Sequence, residues 1–239
     1  MALTAVLAAL SDVHGPRYLN LLNNSLDALE GADLVLLAGD LVERGAAHHC
    51  KLVVDRIRSV YGGELLAVFG NEEYDERKEE LRRLCSDVKW LDDEYVVTEL
   101  GGLKVAVVGT RGVLDRPTRW QLRNVPGIRE IYRRRLERIE ELLREASREA
   151  QCVVLLTHYA PICGTLEGED ERVWSQLGSR RLTRVVMRTK PDVVIHGHAH
   201  NGKRLMVRLG ETRVYNVALP ATGRVTRIVI GARGLSAFM

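Results

Sequence analysis

Five short apolar runs in this sequence each end next to a side chain that can bind a metal ion. The runs are leucine-rich or β-branched, and they cover residues 5–10, 34–37, 65–68, 153–156 and 193–195. Short, uninterrupted apolar runs of this kind predict strands that are buried on both faces. Since strand ends are rigid positions, we expect the side chains that follow the five runs to converge on one edge of a sheet.

The side chains that follow these runs all offer oxygen or nitrogen ligands. They are Asp12, His14, Asp40, Asn71, His158, His198 and His200. Carboxylates, an amide and imidazoles suit an Mn, Fe or Zn ion with oxygen and nitrogen ligands. A structural zinc site would instead need thiolates, which this set lacks. One ion takes about four to six ligands, so we expect two divalent ions, with Asp40 as the bridging carboxylate. Two ions about 3.5–4 Å apart acidify a shared water and stabilise in-line displacement at phosphorus, so this set predicts hydrolysis of a phosphate ester.

The composition is that of one α/β domain over residues 1–239. The 239 residues are 46% hydrophobic, which is enough for a large core, yet no apolar stretch approaches the length of a membrane span. The apolar N-terminus lacks a basic segment and runs directly into Asp12, so we interpret it as a strand rather than a signal peptide and expect a cytoplasmic protein. A net charge of +3 gives no nucleic-acid footprint, so a small phosphate ester is the expected substrate, with nucleic acid as the less favoured alternative. The oligomeric state is not predicted.

The four cysteines are Cys50, Cys85, Cys152 and Cys163, and none forms a CxxC pair. Disulfides are rare in intracellular chains of this size. We therefore expect no disulfide framework.

Periodicity predicts the other elements. Helices are expected over residues 16–29, 46–60, 75–84, 128–150 and, after an N-cap at Ser179, to residue 188. A hairpin is expected over 95–99 and 104–108, and three strands over 203–208, 211–217 and 226–230. Two sheets packed face to face, with helices outside, would bury these elements.

The order of the ligand motifs resembles the calcineurin-like metallophosphoesterase superfamily. The motifs are Asp-x-His, Gly-Asp, Gly-Asn, a single His and Gly-His-x-His, and the resemblance extends from about residue 5 to residue 200. It implies a four-layer αββα sandwich with two mixed β-sheets packed face to face. It also implies that Asp12, His14, Asp40 and His200 hold one ion, that Asp40, Asn71, His158 and His198 hold the other, and that a hydroxide bridging the ions attacks phosphorus. His196, beside the last motif, is either a hydrogen-bond partner of a ligand or a packed strand residue.

Glu72 departs from the family pattern. The family has Gly-Asn-His-Asp or Gly-Asn-His-Glu, whereas this chain has Gly70-Asn71-Glu72-Glu73. The family histidine is thought to protonate the leaving group. Glu72 is either a protonated general acid or a carboxylate that pairs with an arginine and transfers no proton. Without general acid catalysis, the rate falls by about 10²–10⁴, which favours substrates with good leaving groups.

Two arginines are candidates for binding the substrate phosphate. Arg111 follows a strand end within Gly-Thr-Arg-Gly, and its alternative is a surface loop residue. Arg44 lies in Gly-Asp-Leu-Val-Glu-Arg-Gly, which resembles the GDxxDRG element of relatives, and its alternative is a structural salt bridge. The predicted catalytic residues are thus Asp40, Asn71, Glu72 and Arg111. The acidic loop 167–171 either covers the site or is simply solvated.

Two classes of function fit this sequence. The first is a metal-dependent phosphoesterase, with phosphodiesters as the preferred substrates and phosphomonoesterase or nucleotide pyrophosphatase activity as the alternative. The second is a metal-binding interaction scaffold of the same fold that has weak or no catalysis, which only Glu72 favours. Metal content and hydrolysis of chromogenic diesters and monoesters would separate the two classes.

Overall fold

Two β-sheets form the centre of the computed structural model, which describes residues 3–232. The strands are β1 Thr4–Leu10, β2 Leu34–Leu37, β3 Leu65–Val68, β4 Val88–Leu91, β5 Glu94–Leu100, β6 Leu103–Thr110, β7 Cys152–Thr157, β8 Ala160–Pro161, β9 Gly178–Ser179, β10 Val193–His196, β11 Met206–Leu209, β12 Thr212–Asn216 and β13 Thr226–Gly231. The helices are α1 Leu19–Asn23, α2 His48–Arg58, α3 Lys78–Leu84, α4 Arg119–Asn124, α5 Ile128–Glu149, α6 Trp174–Leu177, α7 Arg180–Thr189 and α8 Leu219–Thr222. Single 3₁₀ turns lie at Leu26–Leu29, Asp75–Arg77, Gly164–Leu166 and Glu171–Val173.

Both large sheets are mixed. The first has the strand order β13-β1-β2-β3-β4, and only β13 runs antiparallel to its neighbour. The second has the order β11-β12-β10-β7-β6-β5, in which the edge strands β11 and β5 are antiparallel. Strands β8 and β9 form a separate two-stranded ribbon.

The apolar core has three layers because the central strands are buried on both faces. On β2, Leu36 faces the second sheet, where it belongs to the same cluster as Val154 and Ile195. Its neighbour Val35 points outward and packs with Val53 of α2. A third cluster joins the outer face of the second sheet to α5 and α7. The predicted sandwich of two mixed sheets with outer helices is confirmed.

The helix predicted over residues 16–29 is wrong. The chain leaves His14 in tight turns, in which Arg17 N donates to His14 O at 2.8 Å and Tyr18 N donates to Val13 O at 3.0 Å. Only α1 and a 3₁₀ turn follow, and the Ser25 hydroxyl between them donates to Leu21 O at 2.8 Å. Serine that bonds to a carbonyl four residues earlier competes with the helical ladder, which explains the interruption.

A disulfide joins Cys50 in α2 to Cys85 after α3, so the expectation of no disulfide is wrong for this pair. The two cysteines are 35 residues apart in sequence, but α2 and α3 pack on the same face of the first sheet and bring the two Cα atoms to 6.5 Å. That separation is within the range that a disulfide spans. Cys163 is a free thiol. Within residues 3–232, no helix combines the length and apolarity that crossing a membrane requires.

Candidate metal centre

The carboxyl ends of β1, β2, β3, β7 and β10 meet at one edge of the two sheets, and the structure brings all the candidate ligands together there. Val217, directly after β12, links the sheets at this edge. Its carbonyl accepts from Ser11 N at 3.1 Å and its N–H donates to His196 O at 2.8 Å. Asp12 N also donates to Gly39 O at 3.0 Å, which fixes the ends of β1 and β2 against each other.

Asp12 lies at the centre of one half of the site and is fully buried. Its Oδ1 is 2.9 Å from His200 Nε2 and 3.7 Å from His14 Nε2. Its Oδ2 accepts from Ser11 Oγ at 2.5 Å and from the backbone N–H of His198 at 2.9 Å. These contacts hold one oxygen in place and direct the other towards two imidazoles.

Asp40 lies at the centre of the other half. Its Oδ1 accepts from Glu72 N at 2.8 Å, while its Oδ2 is 3.4 Å from His158 Nε2 and 3.8 Å from His14 Nε2. His158 donates from Nδ1 to Ala38 O at 2.9 Å, so in the neutral ring its Nε2 is the unprotonated nitrogen. That Nε2 also lies 3.1 Å from Asn71 Oδ1. Three electron-pair donors face one another here, and a cation between them removes their repulsion.

Glycine precedes three of the candidate ligands because the strand ends approach too closely for a side chain. A β-carbon on Gly70 would lie 2.1 Å from Asp40 Oδ1, and one on Gly197 would lie 2.4 Å from Asp12 Oδ2. The Gly-Asn and Gly-His pairs of the sequence therefore reflect contact between a backbone and a buried carboxylate at the end of another strand, within one sheet for Gly70 and across the two sheets for Gly197.

The charge balance of the site is reflected in its pKa values. Burial lowers the pKa of His158, but the charge of Asp40 and the contact with it outweigh burial and raise the pKa to about 9. Burial lowers the pKa of His14 as well, and Asp12 and Asp40 together raise it above its ordinary value. Burial lowers the pKa of His198 to about 4, with a contribution from the His158 charge. Burial raises the pKa of Asp12, yet the nearby imidazoles of His14 and His200 hold it well below its ordinary value. Burial likewise raises the pKa of Asp40, and the charge of His158 lowers it below its ordinary value.

These residues fit divalent metal ions. Two groups of side chains each offer ligand atoms within 4.8 Å of one another, and these groups are Asp12, Asp40, His158 and His198, and Asp12, His14 and His200. His14 Nε2 is buried and has no hydrogen-bond partner within residues 3–232, although it faces Asp12 Oδ1 and Asp40 Oδ2. An unpartnered imidazole nitrogen between two carboxylates is the arrangement that a cation completes. Asp12 belongs to both groups, and Asp40 also approaches His14, so each carboxylate lies between the two groups.

Within residues 3–232, the Glu72 carboxylate forms no ion pair with an arginine guanidinium. Its Oε2 accepts from the backbone N–H of Arg44 at 2.6 Å, and its Oε1 accepts from Asn71 Nδ2 at 3.3 Å. Both oxygens therefore accept hydrogen bonds. The sequence suggested an ion pair between Glu72 and an arginine side chain. The structure has instead a hydrogen bond from the backbone N–H of Arg44 to Glu72.

Glu73 is a positioning residue that the sequence did not reveal. It is fully buried and accepts from the backbone N–H groups of Asp40 at 2.8 Å, Leu41 at 2.6 Å, Val42 at 3.1 Å and Gly70 at 2.6 Å. Burial and the Asp40 charge raise the pKa of Glu73 to about 7. Glu73 thereby fixes the loop that carries Asp40. The available signal was the acidic residue two positions after Asn71.

The two candidate arginines line different cavities. Arg44 lines a cavity of about 440 Å³ that contains His14, Asp40 and His200. Arg111 lines an adjoining cavity of about 530 Å³, where its Nη2 is 3.0 Å from both Glu73 O and Asp75 Oδ1. The acidic loop also reaches the first cavity, through Glu169.

His196 is not one of the converging ligand groups. It is buried in β10, where Nδ1 donates to Gly197 O at 2.8 Å and Nε2 accepts from Thr165 Oγ1 at 2.8 Å. Burial lowers its pKa to about 4. His196 is thus a packed strand residue whose hydrogen bonds are satisfied.

Comparison with known proteins agrees with this geometry. The profile of the calcineurin-like phosphoesterase family matches residues 5–202. The fold resembles that of phosphopantetheinyl hydrolase from Mycobacterium tuberculosis, with a TM-score of 0.66 and 16% identity over 89% of this chain and 88% of that one. It also resembles GAP50, the anchor in the inner membrane complex of Plasmodium, with a TM-score of 0.63 and 13% identity over 91% and 72% of the two chains.

A third structure, the NAD nucleotidase of Haemophilus influenzae, gives a TM-score of 0.59 and 14% identity over 97% of this chain and 55% of that one. The chain thus spans about half of the nucleotidase. A search of curated proteins finds no match. Identities this low show a shared fold alone, whereas the family profile covers most of the sequence. The chain therefore belongs to the calcineurin-like phosphoesterase family and is a metal-dependent hydrolase.

Proposed function

We propose that this protein hydrolyses phosphodiesters with two divalent ions held by Asp12, His14, Asp40, Asn71, His158, His198 and His200. The observation that carries the proposal is the pair of buried carboxylates, Asp12 and Asp40, that lies between two groups of imidazoles. When bound, the ions act as Lewis acids that make a nucleophile available from water and neutralise charge on the phosphate. Mn, Fe and Zn all suit this ligand set.

The remaining residues orient the substrate. Arg44 lines the cavity above the ligands and is exposed, so its guanidinium is available to a phosphate oxygen. Glu72 holds the backbone of Arg44 and the amide of Asn71, which turns Asn71 Oδ1 towards His158. Arg111 is proposed to contact the ester group beside the phosphate, since it lines the adjoining cavity.

The charge of the first cavity favours diesters over monoesters. Beyond the metal ligands, its lining contains Glu43, Glu72 and Glu169 but only two cations, Arg17 and Arg44. Arg17 Nη1 lies 3.7 Å from Glu43 Oε1, so part of its charge is already compensated. A diester carries one negative charge and a monoester close to two, so the acidic lining, considered apart from the ions, repels the monoester more strongly.

The test is hydrolysis by the Mn²⁺-loaded protein of bis(4-nitrophenyl) phosphate and 4-nitrophenyl phosphate. We expect the diester to be the better substrate and Asp40→Asn to lower its turnover by about 10²-fold or more, because a shared charge is lost. His48→Ala is the control, since His48 is exposed on α2 and lines neither cavity. Faster hydrolysis of the monoester would favour the monoesterase alternative.

A metal-binding scaffold is the second candidate. It is favoured by Glu72, which stands at the position of the family histidine and accepts hydrogen bonds through both oxygens. This candidate predicts stoichiometric metal with only weak turnover of either ester. Metal analysis of the same preparation used for the hydrolysis test separates the two candidates.

A further inference from the structure

The cavity of about 530 Å³ adjoins the metal centre and continues from it. Asn71, Glu72 and His198 line both this cavity and the one above the ligands. A group esterified to a phosphate at the metal centre therefore has a continuous route into the second cavity. We call the second cavity the aromatic cavity, after Tyr74, Trp120, Tyr132 and Tyr159 in its lining.

The outer wall of the aromatic cavity presents an accessible aromatic face. Trp120 of α4 is 60% exposed although it is the largest type of apolar side chain. Its ring is nearly parallel to that of Tyr74, with 22° between the planes and 6.3 Å between the centroids. Ile131 of α5 completes this wall, and its side chain is likewise accessible, with 38% of its surface exposed. Exposed aromatic and aliphatic groups that line a cavity next to a reaction centre are suited to an apolar part of the substrate.

Helix α4 holds Trp120 in a fixed position. Thr118 and Gln121 form a reciprocal capping box at its start. Gln121 Nε2 also donates to the hydroxyl of the buried Tyr159 at 3.2 Å, and the Tyr159 ring lies 5.0 Å from that of His198. The Trp120 wall is thus connected through two packed residues to a candidate metal ligand.

The charges of the aromatic cavity oppose a second anion. Its cations are Arg111 and Arg135, and each already has an ion pair: Arg111 with Asp75 at 3.0 Å and Arg135 with Asp93 at 2.8 Å. Glu72 and Glu76 add negative charge to the lining. A substrate that carried another phosphate or a carboxylate into this cavity would meet no uncompensated cation among the residues described, whereas an uncharged group would meet no repulsion.

We propose that the aromatic cavity binds a planar, uncharged aromatic group of the phosphate ester, which stacks on Trp120. This proposal rests on the proposed function, because it assigns the organic part of the same substrate. The aromatic group would come from one of two sources, a nucleobase or a simple aryl ring. Stacking on an aromatic side chain strengthens the binding of each base in single-stranded nucleic acid complexes, so we expect an affinity ratio of about tenfold between ligands with and without the ring.

The test is calorimetric binding of phosphonates to the Mn²⁺-loaded protein, because a carbon–phosphorus bond is not hydrolysed. Phenylphosphonate is expected to bind about tenfold more tightly than methylphosphonate. In the Trp120→Ala protein the ratio of the two affinities is expected to fall to near one. In the Trp120→Phe protein most of the preference for phenylphosphonate is expected to return. Leu122→Ala is the matched control: Leu122 is exposed on the same helix but does not line the cavity, so the ratio should persist.

A nucleoside phosphonate distinguishes the two sources. Binding tighter than that of phenylphosphonate, with the same dependence on Trp120, identifies a nucleobase, and weaker binding identifies a simple aryl group. Equal affinities for phenyl- and methylphosphonate, a ratio that survives Trp120→Ala, or no binding of phenylphosphonate at millimolar concentration would overturn the proposal. The proposed function fails differently: a protein that shows the Trp120-dependent ratio but hydrolyses no ester refutes the activity and leaves this inference standing.

Discussion

Four candidate ligands adopt left-handed backbone conformations, which residues with a β-carbon rarely take. They are Asp12, His14, Asp40 and His198, with φ angles of 56°, 43°, 52° and 67°. Each such residue costs about 1–3 kcal/mol, and the surrounding hydrogen bonds hold it in place. His14 N donates to Asp40 O at 3.0 Å, and Asp40 N donates to Glu73 Oε2 at 2.8 Å. The ligands are therefore positioned by the fold before any ion binds, at the expense of stability.

At the residue scale, Asp40→Asn and His14→Ala should affect metal content differently. Asp40 Oδ2 approaches both His158 and His14, so loss of its charge should weaken all metal binding. His14 belongs to only one of the two ligand groups, so His14→Ala should reduce the bound metal by about one ion of two. Elemental analysis after Mn²⁺ incubation measures this, with His48→Ala as the control. Equal loss in both variants would contradict separate roles.

Glu72→Gln tests whether Glu72 donates a proton. Because both carboxylate oxygens accept hydrogen bonds, from Arg44 N and Asn71 Nδ2, we expect any loss of rate to be similar for aryl and alkyl diesters. A general acid would instead make the alkyl diester lose about 10²–10⁴-fold more, since an alkoxide needs protonation.

Glu72→His is the complementary variant. It supplies a neutral or cationic donor beside the phosphate, so it should raise diesterase activity if metal content is unchanged. A Glu72→His protein no more active than the wild type on any diester would refute the view that Glu72 is an electrostatic misfit for catalysis.

At the scale of elements, the sequence predicted the buried strands, because burial sets their apolar pattern. It missed short elements such as α4, whose position is set by local turns. Strands β1, β2, β3, β7 and β10 appear as apolar runs because both of their faces are buried. By contrast, α4 spans only six residues, too few for a helical period to be visible, and only its capping box marks it. Its absence from the sequence interpretation also concealed the aromatic cavity, whose outer wall is Trp120.

The disulfide between α2 and α3 should contribute to stability. It closes a segment of 35 residues, and cross-links of this length typically stabilise by about 2–4 kcal/mol. Cys50→Ser/Cys85→Ser should lower the free energy of unfolding in urea by that amount, and reductant should have the same effect on the wild type. Cys163→Ser, which changes a free thiol, is the control. Stability that is equal with and without reductant would show that this pair does not act as a cross-link.

At the scale of the whole molecule, the metal centre depends on contacts between distant parts of the chain. His200 meets Asp12 across 188 residues, and His158 meets Asn71 across 87. The order of the motifs indicated which residues would meet, because it resembles a known family. The distances between these residues could not be predicted from the sequence, since they depend on how two sheets pack. The role of Glu73 could not be predicted either, because its four N–H partners come from two separate loops.

The last prediction concerns how metal and pH together set the stability of the molecule. In the metal-free protein the pKa of His158 is about 9, above its ordinary value of 6.5. A raised folded-state pKa contributes stability that is complete below about pH 6.5 and is lost as the pH rises through about 9. The cause is that neutral His158 leaves the buried carboxylates Asp12 and Asp40 without a compensating charge. The free energy of unfolding of the chelator-treated protein should therefore fall from pH 6.5 to 9.

Bound metal should reverse this trend, because an ion supplies the missing charge and requires His158 to be neutral. The gain in stability at a fixed Mn²⁺ concentration should increase with pH, reaching about 2.7 kcal/mol where the free metal is a hundred times its Kd. Urea unfolding with chelator and with Mn²⁺ measures both curves, which should diverge as the pH rises. His158→Gln should flatten the metal-free curve, because a group that does not titrate replaces the imidazole. Parallel curves for the wild type would mean that protons and metal do not compete for His158, and the assignment of this side chain as a ligand would then be wrong.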